Sequence, residues 1–221
     1  MTYALIKLSY NEIGENNVEG GICGTSFFIE NNTLLTAHHV FNSKQNIPNA
    51  GFKNCQYWLA SRNGEIIELK DVIIQDYPEI DTTVIRFDNS VTNNILITNR
   101  TLPNIGGRIY NQGFITNMPK IDAGWGKERL EIRSIDMSDS YSDAEGTIRQ
   151  INSSTITAND VNITNKTLIT TSYPGRVGMS GGPMLNENNE VVGLLSIGLP
   201  ADVLQKDFLG AIWIDEILSL I

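Results

Sequence analysis

The chain has 221 residues, 41% hydrophobic and 19% charged, enough to bury one large domain or two small subdomains. Its net charge of −9 argues against nucleic acid and against an anionic membrane surface, since both need clustered Lys and Arg. No run approaches the roughly 18 apolar residues that span a bilayer.

The opening Met1-Thr2-Tyr3-Ala4-Leu5-Ile6-Lys7-Leu8 lacks the basic start, long apolar stretch and small-residue cleavage site of a secretory signal, so a cytoplasmic location is expected. Ala4 to Leu8 reads as a first strand. Gly24 to Ile29 is a second, turning at Glu30-Asn31-Asn32 into Thr33 to Thr36. Gln56 to Ala60 and Glu65 to Leu69 flank Arg62-Asn63-Gly64, and Asn-Gly is a strong hairpin signal. Val72 to Ile74 and Thr82 to Phe87 follow. Residues 88–104 are polar and turn-rich, with Pro103, and read as a crossover between halves at 1–95 and 104–221. The second half carries strands at Gly107 to Phe114, Leu130 to Ile135, Gly146 to Ile151, Leu168 to Thr171, Met184-Leu185 and Val191 to Ile197. Between two of them the acidic, serine-rich stretch Asp136 to Glu145 reads as an exposed loop. Ile214, Ile217, Leu218 and Ile221 recur at helical spacing, which predicts a short amphipathic helix at the end. Many short strands with turn signals between them predict an all-β sandwich or barrel.

The only two histidines stand together in Thr36-Ala37-His38-His39-Val40, far from Gly178-Met179-Ser180-Gly181-Gly182-Pro183. A serine hydroxyl needs an imidazole within hydrogen-bond reach to act as a nucleophile, so the base must be one of this pair. Glycines around Ser180 allow a sharp turn whose N–H groups can converge on one oxygen. A carboxylate must orient the imidazole. Asp71, Asp76, Asp81 and Asp88 lie in range. Asp81 heads a strand and is preferred, with Asp71 the runner-up. A metal site is not expected: neighbouring residues on a strand point to opposite faces, there is no third histidine, and the cysteines are isolated. Cys23 and Cys55 make no disulfide framework and are expected as buried thiols in a reducing compartment.

Taken in order, Thr36 to Val40, Asp81-Thr82-Thr83-Val84-Ile85 and Gly178 to Pro183 resemble the motifs of the chymotrypsin/trypsin-like serine protease superfamily. Cys23-Gly24-Thr25-Ser26-Phe27 and Gly193-Leu194-Leu195-Ser196-Ile197-Gly198 add supporting matches. The resemblance covers nearly the whole chain as a single peptidase domain. It implies two six-stranded antiparallel β-barrels with a short C-terminal helix and the active site in the cleft between them. It places the catalytic base at His39 rather than His38, the acid at Asp81 and the nucleophile at Ser180. The N–H groups of Gly178 and Ser180 would form the oxyanion hole. Thr83 stands where the family usually has alanine.

Three departures bear on control and specificity. Met179 replaces the aspartate that pairs with a new N-terminal amine in zymogen-activated relatives, and the chain start lacks their Ile-Val-Gly-Gly. The resemblance therefore implies an enzyme that is constitutive or controlled by a regulatory protein partner or oligomer. Val40 stands where secreted relatives carry cysteine, so Cys23 has lost its mate. The family's specificity pocket would be based on Pro174, Gly175 and Arg176 and walled by Leu195, Ser196, Ile197 and Gly198, with Gly210 near the back. No acid lies there, so cleavage after Lys or Arg is not expected. An apolar or small side chain fits better, or an acidic one if Arg176 turns inward. The expected activity is that of a serine endopeptidase of narrow, regulatory specificity acting on protein or peptide through an acyl-enzyme, with no cofactor. The alternative is a catalytically silent binding module of the same fold, against which the unbroken triad motif stands.

Overall fold

A computed structural model describes residues 1–14, 17–41, 48–49, 51–116, 119–127, 129–158, 161–173, 175–199 and 208–221. In the first half, β1 (Thr2–Tyr10) pairs antiparallel with β2 (Val18–Glu30) on one side and with β4 (Asn54–Ser61) on the other. Beyond β2 lie β3 (Thr33–Ala37), β7 (Thr82–Arg86) and β6 (Ile73–Tyr77), while β5 (Ile66–Glu68) flanks β4. The sheet thus has seven strands in the order β5-β4-β1-β2-β3-β7-β6. Its two edges, β5 and β6, are consecutive in the chain with only residues 69–72 between them. They are two pieces of one broken run, the first paired with β4 and the second with β7. Counted that way, the seven strands are the six expected. Asp71, in the left-handed region at φ 51°, lies in the break.

The second half is a closed barrel of six strands. They are β8 (Arg108–Phe114), β11 (Tyr141–Ala158), β12 (Val161–Thr171), β13 (Pro183–Leu185), β14 (Val191–Leu199) and β15 (Phe208–Trp213). A separate hairpin, β9 (Lys120–Trp125) and β10 (Leu130–Asp136), packs on the first sheet. This hairpin explains why β1 is buried along both faces. Side chains alternate across a strand: Tyr3 and Leu5 join the main core, whereas Ala4, Ile6 and Leu8 pack with Leu130 and Ile132 of the hairpin. The main core runs through both halves. Phe27, Leu35, Ile80 and Val84 of the first pack in one cluster with Ile163, Leu168, Leu194 and Ile212 of the second. The crossover is bridged to each half, Ile95 to Phe28 and Thr98 to Val191.

Four expectations need correction. Strands β9 and β15 were not foreseen. Only residues 137–140 of the acidic stretch form a turn; from Tyr141 the chain is already in β11. There Asp143 and Glu145 alternate outward, so charges spaced two apart occupy the wet face of a strand rather than a loop. The terminal helix α1 spans Ile214–Leu218 and buries Ile214 and Ile217, while Ile221 lies beyond it and is exposed. The cysteines are free, but both are only partly buried. The Cys23 thiol donates to the Leu5 carbonyl at 3.2 Å, and burial pushes its pKa up to about 12. Among the described residues no helix is long and apolar enough to cross a membrane.

Candidate active site

Strand β3 ends at Ala37, whose carbonyl accepts the N–H of Val40 at 3.1 Å and closes a tight turn. His38 and His39 ride on this turn, directly after the strand. Each meets its own aspartate. His39 Nδ1 lies 2.8 Å and 3.0 Å from the two carboxylate oxygens of Asp81, and the His39 N–H donates to Oδ1 at 2.9 Å. The Ser196 hydroxyl donates to Oδ2. Asp81 is 1% exposed, and a buried carboxylate is tolerated only with such donors around it. A carboxylate can only accept, so the imidazole proton sits on Nδ1 and Nε2 keeps the basic lone pair. Asp81 takes a left-handed conformation, φ 45°, at the end of the 3-10 turn Pro78–Ile80. Of its rivals, Asp71 is exposed beside Lys70, Asp88 is exposed, and Asp76 pairs with His38 at 3.2 Å.

Ser180 stands on a turn seated between the two halves. Its carbonyl accepts the Thr25 N–H at 2.8 Å, and its hydroxyl lies 3.4 Å from the Ser196 carbonyl, a long contact. Ser196 thus touches both Asp81 and Ser180. The following Gly181, at φ +85°, has no room for a side chain: a Cβ would collide with the Thr25 carbonyl and the Thr36 hydroxyl and come within 2.8 Å of the Ala37 nitrogen. That close approach sets the serine turn against the strand that delivers His39. Gly181→Ala is expected to cost about 2–4 kcal/mol, from steric overlap and an unfavourable φ together. A urea melt reads it as a lowered midpoint at unchanged slope.

Two peptide planes in the turn are held by their carbonyls. The Val177 carbonyl accepts the Thr116 N–H at 3.0 Å, and the Met179 carbonyl accepts the Gly182 N–H at 3.0 Å. A trans peptide points its N–H opposite its C=O, so the N–H groups of Gly178 and Ser180 are turned away from these anchors. Among the described residues neither donates to a backbone carbonyl. Gly178 is also held by its own carbonyl. It accepts the Thr25 hydroxyl at 2.8 Å, and that hydroxyl accepts the Phe114 N–H at 2.8 Å. Met179 is fully buried with Ile109, Ile148 and Ile169, so no ion pair occupies that position.

The expected specificity residues are partly accounted for. Pro174 lies outside the described residues. Gly175 and Arg176 are exposed. Leu195 is fully buried in the barrel core with Met179, so it backs the wall from behind instead of presenting surface. Ser196, expected as a wall residue, directs its hydroxyl to Asp81. Ile197 and Gly198 pair through β14 with Gly210 and Leu209 of β15. Asp76, one of the four candidate acids, meets His38 instead of His39, and Thr25, read only as part of a strand, holds the Gly178 carbonyl. Neither contact has a cue in the residue types, because the sequence does not say where a short polar side chain points. Among the described residues no cluster of three or more His, Cys, Asp or Glu could hold a metal.

The trypsin-like peptidase domain family matches residues 24–194 of this chain. The chain belongs to the trypsin-like peptidases. No individual curated protein sequence matches it. By fold, the peptidase is similar to the active form of the Rv3671c protease from M. tuberculosis: TM-score 0.61 and 15% identity over 98% of this chain and 78% of that one. It is also similar to the HtrA-type protease AlgW with decapeptide, with TM-score 0.66 and 14% identity over 99% of this chain and 62% of that one. The serine endoprotease from Yersinia pestis gives TM-score 0.57 and 16% identity, covering 98% of this chain and 60% of that one. This peptidase therefore spans under two thirds of the length of the latter two, and the likeness to all three is one of fold.

Proposed function

We propose that this trypsin-like peptidase is a serine endopeptidase of narrow, regulatory specificity that cleaves through Ser180, His39 and Asp81 by way of an acyl-enzyme. The observation that carries the reading is the buried Asp81 carboxylate. It holds His39 Nδ1 at 2.8 Å and is joined through Ser196 to Ser180. In this reading His39 Nε2 takes the hydroxyl proton as Ser180 Oγ attacks a peptide carbonyl. The N–H groups of Gly178 and Ser180 receive the oxyanion, each donor of this kind being worth about 10²–10³ in rate. His39 then gives its proton to the leaving amine. Water, deprotonated by the same imidazole, attacks the acyl-enzyme, and Ser180 recovers its proton as the acid product departs. Asp81 stabilises the imidazolium formed in each half-reaction without itself becoming protonated.

AlgW, solved with a decapeptide, favours a peptide as the ligand class. The apolar burial of Met179 favours control other than by an N-terminal ion pair. A fluorophosphonate probe tests the chemistry: one covalent adduct per chain, mapped to Ser180, is expected. No adduct, or one at another residue, overturns the reading. Denatured casein tests the narrowness. It should remain largely intact while a peptide library yields a restricted set of cleaved sequences, and broad digestion overturns that part.

A further inference from the structure

We propose that His38 is a positioning residue: with Asp76 and Thr83 it forms a second clamp that holds the Asp81-bearing turn in register with His39. The inference rests on the triad reading above. Two side chains that the triad reading leaves unused carry it: His38, next to the base, and Thr83, which stands where the family usually has alanine. In the folded chain these two side chains meet on one carboxylate. His38 Nδ1 lies 3.2 Å from Asp76 Oδ1, and the Thr83 hydroxyl donates to the same oxygen. Asp76 and Thr83 are also directly paired across β6 and β7.

The arrangement is a double fastening. Adjacent histidines grip the two ends of one short segment, His38 at Asp76 and His39 at Asp81, with the 3-10 turn Pro78–Ile80 between them. The His38 N–H adds a bond of 3.0 Å to the Asp81 carbonyl. Asp81 needs such restraint, because its left-handed φ of 45° is a conformation that a non-glycine residue leaves readily when free. Fixing the His38 ring to Asp76 fixes the peptide that holds the Asp81 backbone. His38 uses its Nδ1 on Asp76 and touches neither Asp81's carboxylate nor Ser180 through it, so its action is on the geometry of the acid and base, not on the substrate.

The test compares His38→Ala and His38→Asn with the wild type. The asparagine amide can place an N–H near the position of Nδ1. His38→Ala is expected to lower kcat about tenfold with KM within about twofold, and His38→Asn to recover most of the loss. The same substitutions are made in a Ser180→Ala background, where hydrogen exchange at the His38 and His39 amides is read. There His38→Ala should speed exchange about tenfold at these two amides and leave Leu34 and Leu35 unchanged, with His38→Asn again restoring protection. Wild-type kcat and exchange in His38→Ala overturn the clamp. So does a loss that asparagine does not restore, or one that spreads to Leu34 and Leu35. Full turnover in Ser180→Ala itself would instead sink the triad reading, while amide exchange would still judge the clamp.

Discussion

Ser180→Ala is expected to lower kcat about 10⁵–10⁶-fold while leaving the protein folded. The hydroxyl contributes little to stability, since its hydrogen bond to the Ser196 carbonyl is a long one, 3.4 Å. The turn around it is held by backbone groups that alanine keeps: the Ser180 carbonyl with Thr25, and the Gly181 N–H with the Leu195 carbonyl at 2.6 Å. Melting temperature should therefore move by no more than about 2 °C. What vanishes, in the proposed reading, is the nucleophile. The remaining N–H groups and the substrate cleft would support only a residual rate, about 10³ over the uncatalysed reaction. Single-turnover assays with an activated peptide ester would show the wild-type acylation burst and none in the variant. A variant retaining even about a hundredth of wild-type kcat would mean that another group attacks the carbonyl.

Asp81→Asn is expected to lower kcat/KM about 10⁴-fold, with shape nearly unchanged. Asparagine keeps an oxygen to accept the His39 N–H, which now reaches Oδ1 at 2.9 Å. Its second polar atom is an NH₂ group, a donor where Oδ2 accepts from both His39 Nδ1 and the Ser196 hydroxyl. The Ser196 hydroxyl can rotate and accept instead. The imidazole answers by moving its proton to Nε2, and that tautomer has no lone pair to offer Ser180. The buried negative charge that would balance an imidazolium is also lost. ¹⁵N chemical shifts of the ring should report the exchanged tautomer, and fluorophosphonate labelling should slow in proportion to turnover. A loss below about tenfold would show that Asp81 neither sets the tautomer nor steadies the charge.

The strands were legible where local rules act alone. Asn63-Gly64, the turn Glu30 to Asn32 and the aromatic-rich run Gln56 to Ala60 are short-range signals, and each marks an element within a residue or two. Strand β9 was missed because Lys120-Ile121-Asp122-Ala123-Gly124-Trp125 buries only part of itself, through a hairpin that must first dock on β1. Asp136 to Glu145 misled because acids two apart look alike in a loop and on the wet side of β11. Leu195 and Ser196 were assigned one role between them, yet the alternation of a strand turns the first into the core and the second to Asp81.

Which groups are available, and in what chain order, belongs to the amino-acid sequence: two histidines, a handful of aspartates, and a serine set among glycines. Which aspartate each imidazole finds, which ring nitrogen carries the proton, and which way the peptides before Gly178 and Ser180 face are outcomes of folding. The reason is directional. A hydrogen bond depends on angle and on distances of a few tenths of an ångström. Ser196 and Asp81, 115 positions apart, acquire that alignment only when both halves have closed around a shared core.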